Sequence, residues 1–174
     1  MASELHVDAI KHSGGTSALT IDSSGNLTAN ANVHYSGGLV QIQTGTLTSS
    51  PNITATSFTD VGLSVSITPK FNTSKIFVIT NSGSLCRKPD YVALRILRDS
   101  TAIHHDYYYN STTDWMPVTL NSSTVDSPSS TSALTYKVQC HVSASASETA
   151  LLYNYSGPGT TAYNATITVM EIAQ

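Results

Sequence analysis

The residues best suited to chemistry in this 174-residue sequence form one short cluster, His104, His105 and Asp106. Imidazole and carboxylate groups can bind a metal ion or transfer a proton. Adjacent side chains of a β-strand point to opposite faces, so the two histidines of one chain cannot share a metal ion. Across a three-fold axis, however, three copies of one histidine could meet and bind a metal ion. The pattern still predicts a polar strand end, with no metal and no cofactor.

Hydrolytic chemistry has weaker support. Serine is abundant, but the sequence lacks the Gly-x-Ser-x-Gly motif that exposes a nucleophile on a sharp turn. Paired carboxylates for glycoside cleavage would need two acidic residues in one groove. The aspartates between residues 90 and 126 all lie in or near predicted turns, where aspartate stabilises the backbone. We predict that the chain is not an enzyme.

A group of aromatic residues follows the histidine cluster: Tyr107, Tyr108, Tyr109 and Trp115. Aromatic rings with polar handles are typical of binding surfaces, because a ligand can stack on the ring and hydrogen-bond beside it. We predict a ligand-binding site formed by Tyr108, Asn110, Asp114 and Trp115. Strand alternation separates Tyr108 from its two tyrosine neighbours, and we expect Tyr108, Trp115 or both on the exposed side. The alternative is that these rings fill the core or a subunit interface.

The composition indicates which elements position these residues. Serine and threonine make up 50 of the 174 residues, whereas charged residues amount to 11 %, against a usual value of about 25 %. A helical bundle needs more Glu, Lys, Arg and Gln on its solvent faces. The net charge of −3 with scattered basic residues disfavours nucleic-acid binding. The sequence has no apolar run long enough for a membrane helix or a secretory signal. Because thiols stay reduced in a protein that is not exported, we expect Cys86 and Cys140 to be free.

Residues 39–174 consist of short alternating stretches separated by turns. Leu63, Val65 and Ile67 share one face of a predicted strand, and Leu134 to Val142 alternates in the same way. The apolar stretch KIFVIT, residues 75–80, predicts a central strand. Residues 81–90 and 121–132, rich in Asn, Ser, Asp and Pro, are predicted to be loops. About eight or nine strands of this kind predict an all-β fold, an antiparallel β-sandwich of the jelly-roll type.

Residues 1–38 are predicted to form a separate N-terminal segment, extended and containing one β-hairpin. The turn Asp22-Ser23-Ser24-Gly25 joins two alternating stretches. A lone hairpin is marginally stable in water, so we expect this segment to bind another chain or a larger body. The residues predicted to form this anchor are apolar: Leu5, Val7, Ile10, Leu19, Ile21 and Leu27.

The outward faces of the predicted strands carry neutral Ser and Thr in place of Lys and Glu. Charged side chains normally keep strand edges from pairing with other molecules, so a β-protein without them needs another form of protection. Burial of the edges in a symmetric homo-oligomer provides it. The alternative is a secreted β-sandwich with a Ser/Thr-rich surface.

The N-terminal stretch SELHVDAIKHSGGTSALTIDSSGNLTAN resembles the start of small fibre-like virion structural proteins of tailed phages from marine and freshwater bacteria. Three later stretches look like the head domain of the same group: FTDVGLSVSITPKFNTSKIFV, VDSPSSTSALTYKVQ and ITVMEIAQ. The resemblance implies a homotrimer on the virion surface, made in the host cytoplasm. It further implies an N-terminal segment that binds other virion proteins and a jelly-roll-like tip.

On this basis we expect a trimeric fibre or adhesin that binds a host-surface glycan or protein without catalysis. Three identical heads give avidity, so weak individual sites suffice. We expect no nucleic-acid partner and no membrane insertion. The first alternative is a capsid decoration protein or head fibre that stabilises the shell. A secreted carbohydrate-binding module comes next, and a hydrolase last.

Overall fold

The computed structural model describes residues 9–11, 14–15, 17–29, 36–49, 51–87, 90–110, 115–143, 149–152 and 164–174. The description is confined to the backbone for residues 17–18, 27, 29, 82–87, 90, 110, 115–120 and 149–152. The chain divides into two compact units, Met1–Tyr35 and Ser36–Gln174. Every regular element in the described ranges is a β-strand. A helix with the length and hydropathy to span a bilayer is not found among these residues.

The N-terminal unit contains three antiparallel strands, β1 (Ala9–Lys11), β2 (Ser17–Ile21) and β3 (Leu27–Ala29). The predicted hairpin turn is confirmed. The Gly25 N–H donates to the Asp22 carbonyl at 2.9 Å, and the Asp22 carboxylate accepts the N–H groups of Ser24 and Asn26. Gly25 has a φ of +82°, a left-handed conformation that glycine adopts without steric cost.

The described part of the second unit, which we call the head, contains ten strands. They are β4 (Leu39–Leu47), β5 (Asn52–Ile53), β6 (Thr59–Ile67), β7 (Lys75–Arg87), β8 (Asp90–Arg98), β9 (Thr101–Asn110), β10 (Trp115–Asp126), β11 (Leu134–Val142), β12 (Thr149–Leu152) and β13 (Ala165–Ile172). One sheet has the order β4-β13-β7-β10, and β12 and β5 continue it beside the second half of β7. The other has the order β6-β11-β8-β9.

The pairing of the eight long strands defines a jelly roll. β4 pairs with β13, β6 with β11, β7 with β10, and β8 with β9, all antiparallel. The head is therefore one long antiparallel hairpin that folds over into two sheets, which is the double Greek key of a jelly roll. The predicted all-β, antiparallel sandwich is confirmed.

The hydrophobic core lies between the inner faces of the two sheets. Leu63, Val65 and Ile67 of β6 are buried there as predicted, and alternate residues of β11 are buried opposite them. Gly45 of β4 also faces inward. An added Cβ at Gly45 would collide with the Ser64 carbonyl of β6 and lie 3.2 Å from Cγ2 of Ile167. Glycine at this position therefore lets the two sheets approach closely.

Two carboxylates fix the sandwich from inside. Asp126 of β10 accepts hydrogen bonds from Arg98 Nη1 and from the Tyr136 hydroxyl, each at 2.7 Å, which links the two sheets. Burial and the adjacent carboxylate raise the pKa of Tyr136 far above its usual value. Glu171 of β13 is fully buried. Burial alone would raise its pKa, but hydrogen bonds led by those from Gln41 and Ser74 hold the pKa below its usual value.

The predictions of loops over residues 81–90 and 121–132 are wrong for residues 81–87 and 121–126, which lie in strands. β7 extends to Arg87 and β10 to Asp126, and the two strands pair without interruption from Ile76 opposite Asp126 to Arg87 opposite Trp115. Asn and Ser favour turns when they stand alone. Here each backbone has a cross-strand partner, and the side chains of Asn81 and Asn121 are exposed to solvent.

Candidate functional site

β9, which carries the residues singled out by the sequence, lies at the edge of the β6-β11-β8-β9 sheet. Tyr108 is directly opposite Val92 of β8, which is fully buried, and it packs against the hydrophobic core. Tyr107 and Tyr109 face outward and are 63 % and 66 % exposed. Of the expectation that Tyr108, Trp115 or both lie on the exposed side, the part about Tyr108 is therefore wrong, and the part about Trp115 stays a prediction because its side chain is not described. The register between β9 and β8 decides which face of β9 is buried, and this register cannot be deduced from the sequence of β9 alone.

The other predicted ligand-binding residues are only partly visible. Asn110 ends β9 and Trp115 begins β10, and only their backbones are described. Asp114 lies outside the described residues. A ligand-binding role for Tyr108, Asn110, Asp114 and Trp115 stays a prediction.

The histidine cluster is divided between the two faces of β9, as alternation predicts. On the inner side, His104 Nε2 lies 2.9 Å from Asp106 Oδ2, and the Ser122 hydroxyl donates to the same oxygen. Burial opposes ionisation of Asp106, but these two hydrogen bonds hold its pKa below the usual value. A hydrolytic triad places the imidazole against the serine hydroxyl. Here the carboxylate lies between them, so His104 is not placed to activate Ser122.

No group of three potential metal ligands from His, Cys, Asp or Glu occurs within the part of the chain that the structure describes. His105 is on the outward face of β9, where its neighbours are aromatic.

The outward face of this sheet carries a closed ring of five aromatic side chains, which we call the aromatic circle. Its centroid distances, taken in order, are Phe58–His105 4.9 Å, His105–Tyr107 4.4 Å, Tyr107–Tyr91 5.7 Å, Tyr91–His141 5.5 Å and His141–Phe58 4.4 Å. Four of these five contacts are edge-to-face, the arrangement that aromatic quadrupoles favour. Each ring is therefore held by two others.

Ala93 forms the floor of the aromatic circle. It lies directly opposite His141 of β11 and Tyr107 of β9. Its side chain points outward, yet it is fully buried because the rings cover it. A larger residue here would push the rings apart. Burial and the nearby His141 and Arg95 lower the pKa of His105, so its imidazole is neutral at pH 7.

A row of polar side chains crosses the sheet beside the aromatic circle. Asp60, Gln139, Arg95 and His105 lie opposite one another on the four strands, and we call the first three the polar row. Gln139 Nε2 donates to Asp60 Oδ1 at 2.6 Å, and Arg95 donates Nε and Nη2 to Gln139 Oε1 at 2.8 and 2.6 Å.

The polar row is also joined to the aromatic circle. The Arg95 guanidinium carbon lies 4.1 Å from the Phe58 ring centroid, a cation–π contact. Lys137 Nζ donates to Asp60 Oδ2 at 2.9 Å, and the hydrogen bonds from Lys137 and Gln139 lower the pKa of Asp60. The row is therefore a fixed set of charged and amide groups.

Sequence reasoning missed several members of this outer face, among them Phe58, Tyr91, Ala93, Arg95 and His141. A signal for some of them was present. Residues 91, 93 and 95 alternate with the apolar residues 92, 94 and 96, which already assigns them to the outward face. Phe58 precedes its strand, and no periodicity predicts that its ring lies over β8 and β11.

The outer face of the other sheet carries four apolar residues in register, which we call the apolar row. Val125 of β10 opposes Phe77 of β7, Phe77 opposes Met170 of β13, and Met170 opposes Ile42 of β4. Val125 is 55 % exposed and Ile42 49 %. Among the described side chains of this face, Lys75 is the only charged one.

The predicted anchor residues lie in the small N-terminal sheet as far as they are described. Ile10 of β1 is directly opposite Leu19 of β2, and Ile21 of β2 is opposite Leu27 of β3. Ile10 and Ile21 are 51 % and 44 % exposed. Leu5, Val7 and the side chain of Leu27 lie outside the description.

A scan of protein-family models finds no match to this chain, and no curated protein matches its sequence at a significant level.

Proposed function

We propose that this protein is a structural protein of a phage virion, a homotrimeric fibre or adhesin whose jelly-roll head is displayed toward the host surface. The observation that carries the proposal is the exposed apolar row, on a face where Lys75 is the only charged residue among the described side chains. The resemblance of the sequence to small fibre-like virion proteins supports the trimeric state and the particle as its location.

The apolar row is suited to contact with another copy of the same head. Lys75, two residues before Phe77 on β7, is the one charged side chain described on this face, and Thr44 and Thr168 hydrogen-bond to each other at 3.0 Å. Among the described side chains, copies of this face in a symmetric assembly therefore bring only Lys75 near a like charge. Burial of apolar surface contributes about 25 cal/mol per Å², so an interface that covers Val125 and Ile42 is stabilised by their burial.

Association through this face leaves the opposite sheet free. The aromatic circle and the polar row lie on the outer side of β6-β11-β8-β9, across the sandwich from the apolar row. In the proposed trimer that surface points away from the other heads and is available to a ligand. Three copies of one weak site then act together.

The N-terminal unit supports the proposed attachment to other virion proteins. Its three short strands leave Ile10 and Ile21 substantially exposed. A sheet of this size buries little apolar surface alone and gains stability against a larger body. The anchor is thus proposed to bind through the face that carries these two side chains.

The experiment is a light-scattering measurement of mass on the full chain and on variants of the apolar row. The wild type is expected to give about three times the chain mass of 18.4 kDa. Val125→Glu and Ile42→Glu place a charge in the proposed interface and should yield monomer. Tyr109→Glu, at an equally exposed position on the other sheet, is the matched control and should stay trimeric. A monomeric wild type, or row variants that stay trimeric, would contradict the proposal.

A further inference from the structure

We propose that the outward face of β9 is a carbohydrate-binding platform, on which Tyr107 and Tyr109 stack against pyranose rings and the polar row binds the sugar hydroxyl groups. This inference rests on the proposed function, because it names the class of ligand that the displayed head recognises. The platform lies on the face of β9 opposite to Tyr108.

The stacking surface is exposed, and one of its two rings is braced by neighbouring aromatic rings. Tyr107 and Tyr109 are two residues apart on one strand, which separates them by about 7 Å, and each exposes about two-thirds of its surface. Tyr107 is braced by His105 at 4.4 Å and by Tyr91 at 5.7 Å. A braced ring loses little conformational freedom when a ligand binds, so more of the contact energy is available as affinity.

The hydrogen-bonding groups lie beside the rings and are already positioned. Arg95 lies opposite His105, and the His105 ring contacts Tyr107. The His105 ring is therefore all that separates Arg95, the nearest member of the polar row, from the platform. Within the described residues, Arg95 makes its hydrogen bonds through Nε and Nη2 and none through Nη1. An Nη1 group can therefore donate to a hydroxyl group, while the Asp60 carboxylate can accept one.

The size of the surface favours a saccharide over a protein. Two tyrosines of this exposure offer roughly 200 to 300 Å² of aromatic contact surface. A stable protein interface buries about 800 Å² on each partner. The platform and the polar row together extend over about five residues, or roughly 13 Å, along β9 and over three strand spacings, or roughly 14 Å, across the sheet. Those dimensions match a short oligosaccharide better than a single sugar.

The test is saturation-transfer difference NMR on the full chain with a panel of named sugars: glucose, galactose, N-acetylglucosamine, glucuronic acid, cellobiose, lactose and chitobiose. The wild type should transfer saturation to ring C–H protons of at least one disaccharide. Tyr107→Ala and Tyr109→Ala should lower the affinity about tenfold, as expected when a central aromatic contact is lost. Tyr109→Phe keeps the ring and should retain binding, and Thr46→Ala on the other sheet should bind as the wild type does.

Absence of saturation transfer from the wild type to every sugar of the panel would overturn the inference, and so would Ala variants that bind normally. Circular dichroism shows whether each variant is folded. The mass of the same samples, measured by light scattering, tests the trimer separately from the carbohydrate-binding platform. A trimer that binds no sugar overturns this inference alone, whereas a monomer that binds sugar through Tyr107 and Tyr109 supports it and contradicts the trimer.

Discussion

The Ser74 hydroxyl donates a hydrogen bond of 2.7 Å to the Glu171 carboxylate, which is fully buried. The same carboxylate accepts the backbone N–H groups of Lys70 and Phe71 at 2.7 and 3.3 Å and the side-chain amide of Gln41 at 2.6 Å. These donors come from β4 and from the connection between β6 and β7. Glu171 therefore joins β13, the last strand of the jelly roll, to β4, its first strand, and to the connection between β6 and β7.

Replacement of Glu171 by Gln should destabilise the head strongly. The variant loses the negative charge that strengthens four hydrogen bonds. Its side-chain NH₂ group, itself a donor, also replaces an acceptor oxygen and faces other donors. We expect a loss of about 3 kcal/mol or more in the free energy of unfolding, measured by urea denaturation at pH 7. Thr46→Ala, an exposed change in β4, should cost less than about 0.5 kcal/mol. Equal stability of the two variants would show that the Glu171 cluster is not a major contributor.

The stability that Glu171 provides should disappear in acid. Its native pKa lies below the value in the unfolded chain, which is about 4.3. The contribution is therefore fully present above the unfolded pKa and is lost as the pH falls through the native pKa. We expect the difference in free energy of unfolding between wild type and Glu171→Gln to stay level from pH 6 to about pH 5 and to shrink from there to pH 3. A difference that stays constant over this range would contradict the role of the ionised carboxylate.

Gly45→Ala should destabilise the sandwich although alanine is only one methyl larger. Its Cβ would collide with the Ser64 carbonyl, and a β-sheet backbone cannot move away as a flexible side chain can. We expect a cost of about 1 to 3 kcal/mol, seen as a lower melting temperature. Thr44→Ala, the neighbouring outward-facing position, is the control. A Gly45→Ala protein as stable as the control would mean that the two sheets are not in close contact here.

The Cys140 thiol should be unreactive in the folded protein. It is buried and free, and burial raises its pKa to about 12. Because the thiolate is the reactive form, Ellman's reagent should not label it at pH 8. In a Cys86→Ser variant, we expect no rapid labelling in the native state and one thiol per chain in denaturant. Rapid native labelling would show that the interior of the β6-β11-β8-β9 sheet opens readily.

Deletion of residues 1–35 should leave the head folded, because residues 36–174 form a compact unit. We expect an unchanged β-type circular dichroism spectrum and a loss of incorporation into phage particles. Deletion of residues 1–8 alone keeps the three short strands and serves as a comparison. If the head without its N-terminal unit still joined particles normally, the proposed anchor would be wrong.

The sequence predicts the interior of the head better than its surfaces. Leu63, Val65 and Ile67 show their buried face through alternation, because an apolar core imposes the two-residue period directly. Likewise, KIFVIT is apolar on both faces, and the strand it begins pairs with neighbours on both sides. Burial thus leaves a local signature that can be read from the residues themselves.

The long β7–β10 hairpin and the aromatic circle depend on pairing between distant residues. Asn81 and Asn121 are turn-forming residues in isolation and become strand residues because they lie opposite each other. In the same way, Tyr108 is directed inward by its register with Val92, and Phe58 reaches His105 across the sheet. Such contacts follow from the register of the sheets, which no local pattern contains.

The location of the protein on an intact particle tests the central proposal most directly. If the proposal is correct, a phage carries this chain, and its purified virions would be imaged by electron microscopy with gold-labelled antibodies against the head. Label on fibres at the tail or at another exposed site of the particle is the predicted result, and it should be lost in particles assembled with the chain lacking residues 1–35. Label spread over the shell would favour the capsid decoration alternative. Particles without any label, with the protein found only in the lysate, would contradict a virion structural role.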